Sequence, residues 1–251
     1  MVNIIMNGCN GKMGQKISEI VAADENAQIV AGVDPYDVIH NSYPVYKSLA
    51  EVKETADVVI DFSNAGCVDS MLDACIAKKL PVVLCTTGLS ELQIEKVKDA
   101  SKIIAVLRSA NMSLGVNMLL KLLKEATATL APAGFDIEIV EKHHNQKLDA
   151  PSGTALALAD SINEELNNEY EYVYDRSQVR QKRTTKEIGI SAVRGGTIVG
   201  DHDVIFAGED EVVTFSHRAY SKAVFGKGAV QAAKFLKGKE AGLYDMSDVI
   251  G

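Results

Sequence analysis

The stretch "VNIIMNGCNGKMGQKI", residues 2–17, runs from an apolar, β-branched segment through a glycine-punctuated turn into an amphipathic pattern. A strand that passes directly into a helix across Gly8-x-x-Gly11-x-x-Gly14 places backbone N–H groups and the positive end of the helix dipole where a pyrophosphate can be held. The usual G-x-G-x-x-G turn has a second glycine where this chain has Asn10, the non-glycine residue that best tolerates a left-handed backbone. Glycine turns of this kind also occur without any nucleotide, so the surrounding chain has to decide.

Outward from that turn, residues 2–109 repeat the same alternation. The runs "VNIIMN", "AQIVAGVD", "DVVIDFS", "PVVLCTT" and "KIIAVLRS" are separated by helical patterns such as "KMGQKISEIVAA" and "GCVDSMLDACIAKK". Short strands alternating with helices predict a doubly wound parallel sheet. Asp34 ends the second strand, 20 residues after Gly14, where a carboxylate would accept hydrogen bonds from the adenosine ribose hydroxyls. The alternative is an acidic residue merely exposed at a strand end. Its neighbour Pro35 offers no cation for a 2′-phosphate, so NADH is expected to serve at least as well as NADPH, with Lys12 in the turn as the one local cation against this. "CTTG" (85–88) and "SANM" (109–112) end the fourth and fifth strands on the ligand side of such a sheet and would line the nicotinamide half.

From residue 113 the pattern changes to a long amphipathic helix, then a strand "FDIEIVEKHH", a helix from about Ser152, and strand-like stretches up to about Ala219. This predicts an α+β second domain of about 113–225 with an open, mixed or mostly antiparallel sheet. The first domain is then 1–112 plus about 226–251, because the helix "GAVQAAKFLKG" and the tail "GLYDMSDVI" return to it.

With 251 residues, 47% hydrophobic and 24% charged, the composition is that of a globular enzyme, and no apolar run approaches the ~20 residues of a membrane span. The N-terminus carries no import signal, so a cytoplasmic location is expected. A formal charge of −8 disfavours nucleic acid, and "RQKR" (180–183) reads as a solvated loop. Cys9, Cys67, Cys75 and Cys85 form no C-x-x-C pair and suggest neither a disulfide nor a metal site.

The other chemistry-bearing stretch is "EKHHNQKLDAPSGTA", residues 141–155. Two histidines, Lys147, and a helix start at which Ser152, Gly153 and Thr154 would present free backbone N–H groups are drawn close together, an arrangement suited to a carboxylate and to proton transfer near neutrality. Proline fits the first turn of such a helix, which places Pro151 or Ser152 at its start.

This stretch, with "GCNGKMG", "DFS" (61–63), "CTTG", "SANMSLGVN", "RGGTIVGDH" and "GLYDMSDVI", resembles the 4-hydroxy-tetrahydrodipicolinate (dihydrodipicolinate) reductases over nearly the whole chain. The resemblance implies a Rossmann-like first domain and NAD(P)H-dependent reduction of a cyclic imine dicarboxylate in diaminopimelate and lysine biosynthesis. It also implies a homotetramer built through the second domain. It makes His143 the general acid/base and Lys147 a proton donor, with His144, Gly153 and Thr154 on the substrate carboxylate. It gives the nucleotide to Gly8, Cys9, Asn10, Gly11, Lys12, Met13, Asp34, Cys85, Thr86, Thr87, Ser109, Ala110, Asn111 and Met112. Cys85 and Met112 stand where the family often has glycine and phenylalanine. Two other readings are an NAD(H)-binding redox sensor, which would need a partner- or DNA-binding module, and a two-domain amino-acid dehydrogenase, which would not need His144, Lys147 and the Ser-Gly-Thr turn together.

Overall fold

The computed structural model describes residues 1–251 apart from 37, 38, 175 and 179. The chain divides into two compact units, Met1–Leu114 with Ala223–Gly251, and Gly115–Lys222. In chain order the first contributes β1 (Val2–Asn7), α1 (Lys12–Ala22), β2 (Ala27–Val33), β3 (Val45–Tyr46), β4 (Val58–Asp61), α2 (Ala65–Lys78), β5 (Val82–Leu84), α3 (Glu91–Ser101) and β6 (Ala105–Leu107). Then come α4 (Leu114–Leu130), β7 (Asp136–His143), α5 (Gly153–Glu165), β8 (Glu171–Val173), β9 (Glu187–Arg194), β10 (Gly200–Ala207) and β11 (Val212–Ala219), before α6 (Ala223–Leu236), β12 (Gly242–Tyr244) and α7 (Met246–Ile250) close the first unit.

The first unit is a parallel sheet of order β12-β6-β5-β4-β1-β2-β3. Its central strands are buried almost throughout because helices cover both faces. Ile4, Met6 and Ile60 pack into one core with Ile17, Ala229 and Ala233, while the intervening Ile5 and Val59 face Val68, Leu72 and Val97. The sequence predicts five strands, and β3 and β12 are the additions. With two and three residues at the sheet edges, they are too short to show a period of two. Helix α6 begins at Ala223, ahead of the expected residue 228, because its glycines are close-approach positions and not breaks: a Cβ on Gly228 would lie 1.6 Å from the Met112 carbonyl oxygen.

The second unit is a mixed sheet of order β11-β10-β7-β9-β8, with β10 antiparallel to β7 and β11, and β9 parallel to β7 and β8. Burial alternates along β7 and β10, as expected for strands with one face on a core. On that face Ile137, Ile139, Val204 and Phe206 meet Leu119 and Leu123 of α4 and Leu158 and Ile162 of α5. "RQKR" is not wholly a solvated loop, since the Arg183 guanidinium binds Asp136 Oδ1 (2.7 Å), Glu138 Oε1 (3.1 Å) and the backbone carbonyls of Ile137, Thr184 and Glu187. Among the described residues no helix is long and apolar enough to cross a membrane.

Candidate active site

At the glycine turn the left-handed residue is Gly8 (φ +81°), and Asn10 is not among the residues with positive φ. Tolerance of that backbone is therefore not what Asn10 contributes; its side chain instead binds the Tyr36 carbonyl and accepts from Asn41 Nδ2 (2.8 Å), tying the turn to the loop after β2. A Cβ on Gly14 would meet Gly8 O at 2.2 Å, so only glycine lets α1 start this close to the turn. The N-terminal cap Gly11 offers no side-chain hydrogen bond, which leaves the first N–H groups of α1 to a ligand or solvent. Gly8, Gly11, Asp34, Lys47 and Ser63 border a cavity of about 400 Å³. The surroundings suit an adenosine diphosphate: a glycine cradle, an unsatisfied helix start and a carboxylate.

Asp34 accepts the N–H groups of Asn10 (3.1 Å) and Tyr36 (3.0 Å), which fixes its carboxylate at the cavity wall. Lys47 lies on the same cavity, so Lys12 is not the only local cation, and the inference from Pro35 to NADH is weaker than the sequence suggests. Cys9 is fully buried with its sulfur against Gly32, so only its backbone can serve the nucleotide. On the other side of β1, Thr86 Oγ1 donates to Asp61 (2.6 Å), Thr87 is exposed, and Asn111 Oδ1 accepts the Ser113 N–H (2.8 Å). Met112 is buried against α6, while Ser109 and Ala110 precede it in an irregular segment after β6.

In the second unit the apolar face of β7 and β10 turns polar at one end. Glu141 and His143 follow Ile137 and Ile139 at spacings of two, and His202 follows the same face of β10, so all three side chains share one side of the sheet. Glu141 is completely buried. It accepts His143 Nδ1 (2.6 Å), both terminal nitrogens of Arg194 (2.8 and 2.7 Å) and the Ser152 N–H (3.0 Å). Burial alone would raise the Glu141 carboxyl, but Arg194, His143 and Ser152 outweigh it and hold the group below the ordinary carboxylate range. The strand pairing sets Arg194 opposite His143, and Arg194 also reaches the Asp149 carbonyl (2.6 Å), which ties the 144–152 loop to the sheet.

His202 packs edge-on against His143 at 5.2 Å between ring centroids, and its Nε2 lies 3.1 Å from Ser152 Oγ. Burial first, and then the charge of His143, push His202 down to about 4, so it stays neutral at cellular pH. The two adjacent imidazoles have different surroundings: His143 is hydrogen-bonded to the Glu141 carboxylate, whereas His202 meets the Ser152 hydroxyl and the edge of His143.

The helix start differs from expectation in two respects. Ser152 is the N-cap, its hydroxyl accepting from Ala155 N–H (3.2 Å), so Pro151 precedes the cap and is outside the first turn. Nor are the expected N–H groups all free: Ser152 donates to Glu141, while the Asp149 carboxylate, held below the ordinary range chiefly by Lys147 and least by the nearby Gly153 N–H, takes Lys147 Nζ at 2.8 and 2.9 Å. Lys147 and the helix start thus already face a carboxylate together. Gly153 is not among the positive-φ glycines, and a Cβ there would meet nothing within 4 Å. His144, half-buried, closes a turn through its carbonyl and the Lys147 N–H (3.2 Å), and no ring contact joins it to His143 among the described residues.

Family models match nearly the whole chain. The model described as dihydrodipicolinate reductase, N-terminus, matches residues 2–112, and the corresponding C-terminus model matches residues 115–250. The chain belongs to the dihydrodipicolinate reductase family. Membership makes it an oxidoreductase with a nucleotide-binding first domain suited to NAD(P)H. It is 54% identical to the 4-hydroxy-tetrahydrodipicolinate reductase of Caldanaerobacter subterraneus over 100% of this chain and 98% of the relative. Identity to the Clostridium tetani enzyme of the same name is 48%, over 98% of this chain and 96% of the relative. A dipicolinate-bound dihydrodipicolinate reductase from Paenisporosarcina sp. TG-14 superposes with a TM-score of 0.83 at 25% identity, each chain covered in full.

Within this member of the family, Glu141, Arg194, His202 and Lys47 are the residues of interest that sequence reasoning passed over, while Ser152, expected to offer a free N–H, instead caps the helix and donates to Glu141. Glu141 had a signal, since a residue two before His143 on a strand shares its face. Arg194 and His202 lie in "RGGTIVGDH", but only the pairing of β9 and β10 with β7 brings them to His143.

Proposed function

We propose that the chain reduces 4-hydroxy-tetrahydrodipicolinate to tetrahydrodipicolinate with loss of water, in diaminopimelate and lysine biosynthesis, as a cytoplasmic homotetramer using NADH or NADPH. The nucleotide, when bound, supplies the hydride. Gly8, Gly11 and the start of α1 hold its diphosphate and Asp34 its ribose, with Cys85 to Thr87 and Ser109 to Met112 toward the nicotinamide. His143 carries the proton that the reduced substrate takes up. Its Nδ1 is engaged by Glu141, so the ring orientation is fixed and Nε2 is the nitrogen left to exchange a proton with a ligand. His144, Lys147 and the N–H groups of Gly153 and Thr154 receive the substrate carboxylates.

The observation that carries this reading is the Asp149 carboxylate, bound through both oxygens by Lys147 beside the start of α5, whose Gly153 N–H is near enough to help hold that carboxyl low. It marks the place as one that takes a carboxylate. Asp149 is 58% exposed, and an ion pair this open contributes about 0–1 kcal/mol, so a substrate carboxylate can replace it at little cost. Pyridine-2,6-dicarboxylate should therefore bind to protein holding NADH in competition with substrate, and Lys147→Ala should weaken that binding roughly tenfold or more. Undiminished affinity in a folded Lys147→Ala protein would place the substrate carboxylates elsewhere.

A further inference from the structure

Strand β4 ends on a carboxylate answered by neutral groups alone. Asp61 is fully buried; its Oδ1 accepts Asn7 Nδ2 (2.6 Å), Ser63 N–H (3.3 Å) and Ser63 Oγ (2.6 Å), and its Oδ2 accepts Thr86 Oγ1 (2.6 Å). Donors converge on both oxygens, the shell an ionised carboxylate takes, yet among the described residues no Lys, Arg or His pairs with it. A buried charge without a counter-charge is costly, and a neutral side chain could serve if the only task were to tie these loops together.

Its position gives the charge a use. Asp61 lies opposite Asn7 of β1 and Leu84 of β5, at the strand ends where the order of the sheet reverses. The cavity bordered by Asp34 runs from the end of β2 to Ser63 after β4 and does not include Cys85 to Thr87, so a dinucleotide that crosses this switch point from it brings its nicotinamide on toward β4 and β5, beside Cys85 to Thr87. The nicotinamide ring is neutral when reduced and, once the hydride has left with both electrons of its C–H bond, cationic. The field of Asp61 reaches this loop: the Cys85 thiol is pushed up by burial first and by the Asp61 charge second.

We infer that Asp61 is an electrostatic positioning residue whose buried charge favours the oxidised, cationic nicotinamide over the reduced, neutral one and so makes the bound reduced nucleotide a stronger hydride donor. This rests on the nucleotide reading of the glycine turn. The test is calorimetric Kd for NAD⁺ and NADH with wild type, Asp61→Asn and Ser63→Ala. Two unit charges acting across about 10 Å at an effective dielectric of ~20 change such a ratio roughly tenfold, which is the scale expected here. Asp61→Asn should lose NAD⁺ affinity by that factor relative to NADH, while Ser63→Ala, which keeps the charge and loses a donor, should keep the wild-type ratio. Equal weakening of both nucleotides by Asp61→Asn would reduce Asp61 to a tie between loops and overturn the inference. If Asp61→Asn does not fold, wild type decides: it should bind NAD⁺ more tightly than benzamide adenine dinucleotide, whose ring is planar but uncharged, and equal affinity would overturn the inference. Binding of no nucleotide by wild type would instead bring down the nucleotide reading itself.

Discussion

His202 ties stability to pH through a single buried ring. It is 4% exposed, and its proton affinity is pushed down to about 4 by burial first, then by His143, with His217 and Lys147 acting in the same direction and Glu141 against them. An imidazole in the unfolded chain takes a proton near its ordinary ~6.5, whereas the folded protein resists protonation until about 4. The unfolded state therefore binds more protons between these values, so stability is lost as pH falls through this window. The whole shift amounts to about 3 kcal/mol, of which about 2 kcal/mol accumulates between about pH 7 and about pH 5. Glu141, held low, adds loss of the same sign only at still lower pH. His202→Gln keeps an amide able to reach Ser152 Oγ and removes the titration. Urea unfolding of both proteins at the two pH values should show wild type losing about 2 kcal/mol more than the variant on acidification. Equal losses would mean that the folded protein does not hold His202 neutral, and the account of its burial would fall.

Arg194→Met should destabilise the protein by about 3–5 kcal/mol, because Glu141 stays buried without its guanidinium, and added guanidinium should restore part of kcat; thermal melts and steady-state rates read both effects. Asp34→Ala should weaken NADH more than NADPH, and Lys47→Ala the reverse, since only NADPH carries a 2′-phosphate. Fluorescence titration with each nucleotide measures this, and equal effects on both would remove these two residues from cofactor choice.

The doubly wound sheet was legible because its central strands are buried on both faces and read as unbroken apolar runs, whereas edge strands β3 and β12 carry too few residues to show a pattern. The candidate site was legible where it is local: His143, Lys147 and Gly153 fall within eleven residues of one another along the chain. The Glu141–Arg194 pair and the contact of His143 with His202 depend on sheet register, which no local spacing reports. Asn10 shows the converse case: its backbone tolerance matched the turn, yet the structure uses its side chain.

The central claim is that His143, held by Glu141, moves the proton in a nicotinamide-dependent reduction. Its most direct measurement is NADH oxidation with enzymatically generated 4-hydroxy-tetrahydrodipicolinate, comparing wild type with His143→Ala alongside Kd for NADH. The account predicts turnover by wild type and a kcat lower by roughly 10²–10³ in the variant, with NADH affinity near wild type. An unchanged kcat at saturating substrate, or no oxidation by wild type with either nucleotide, would contradict it.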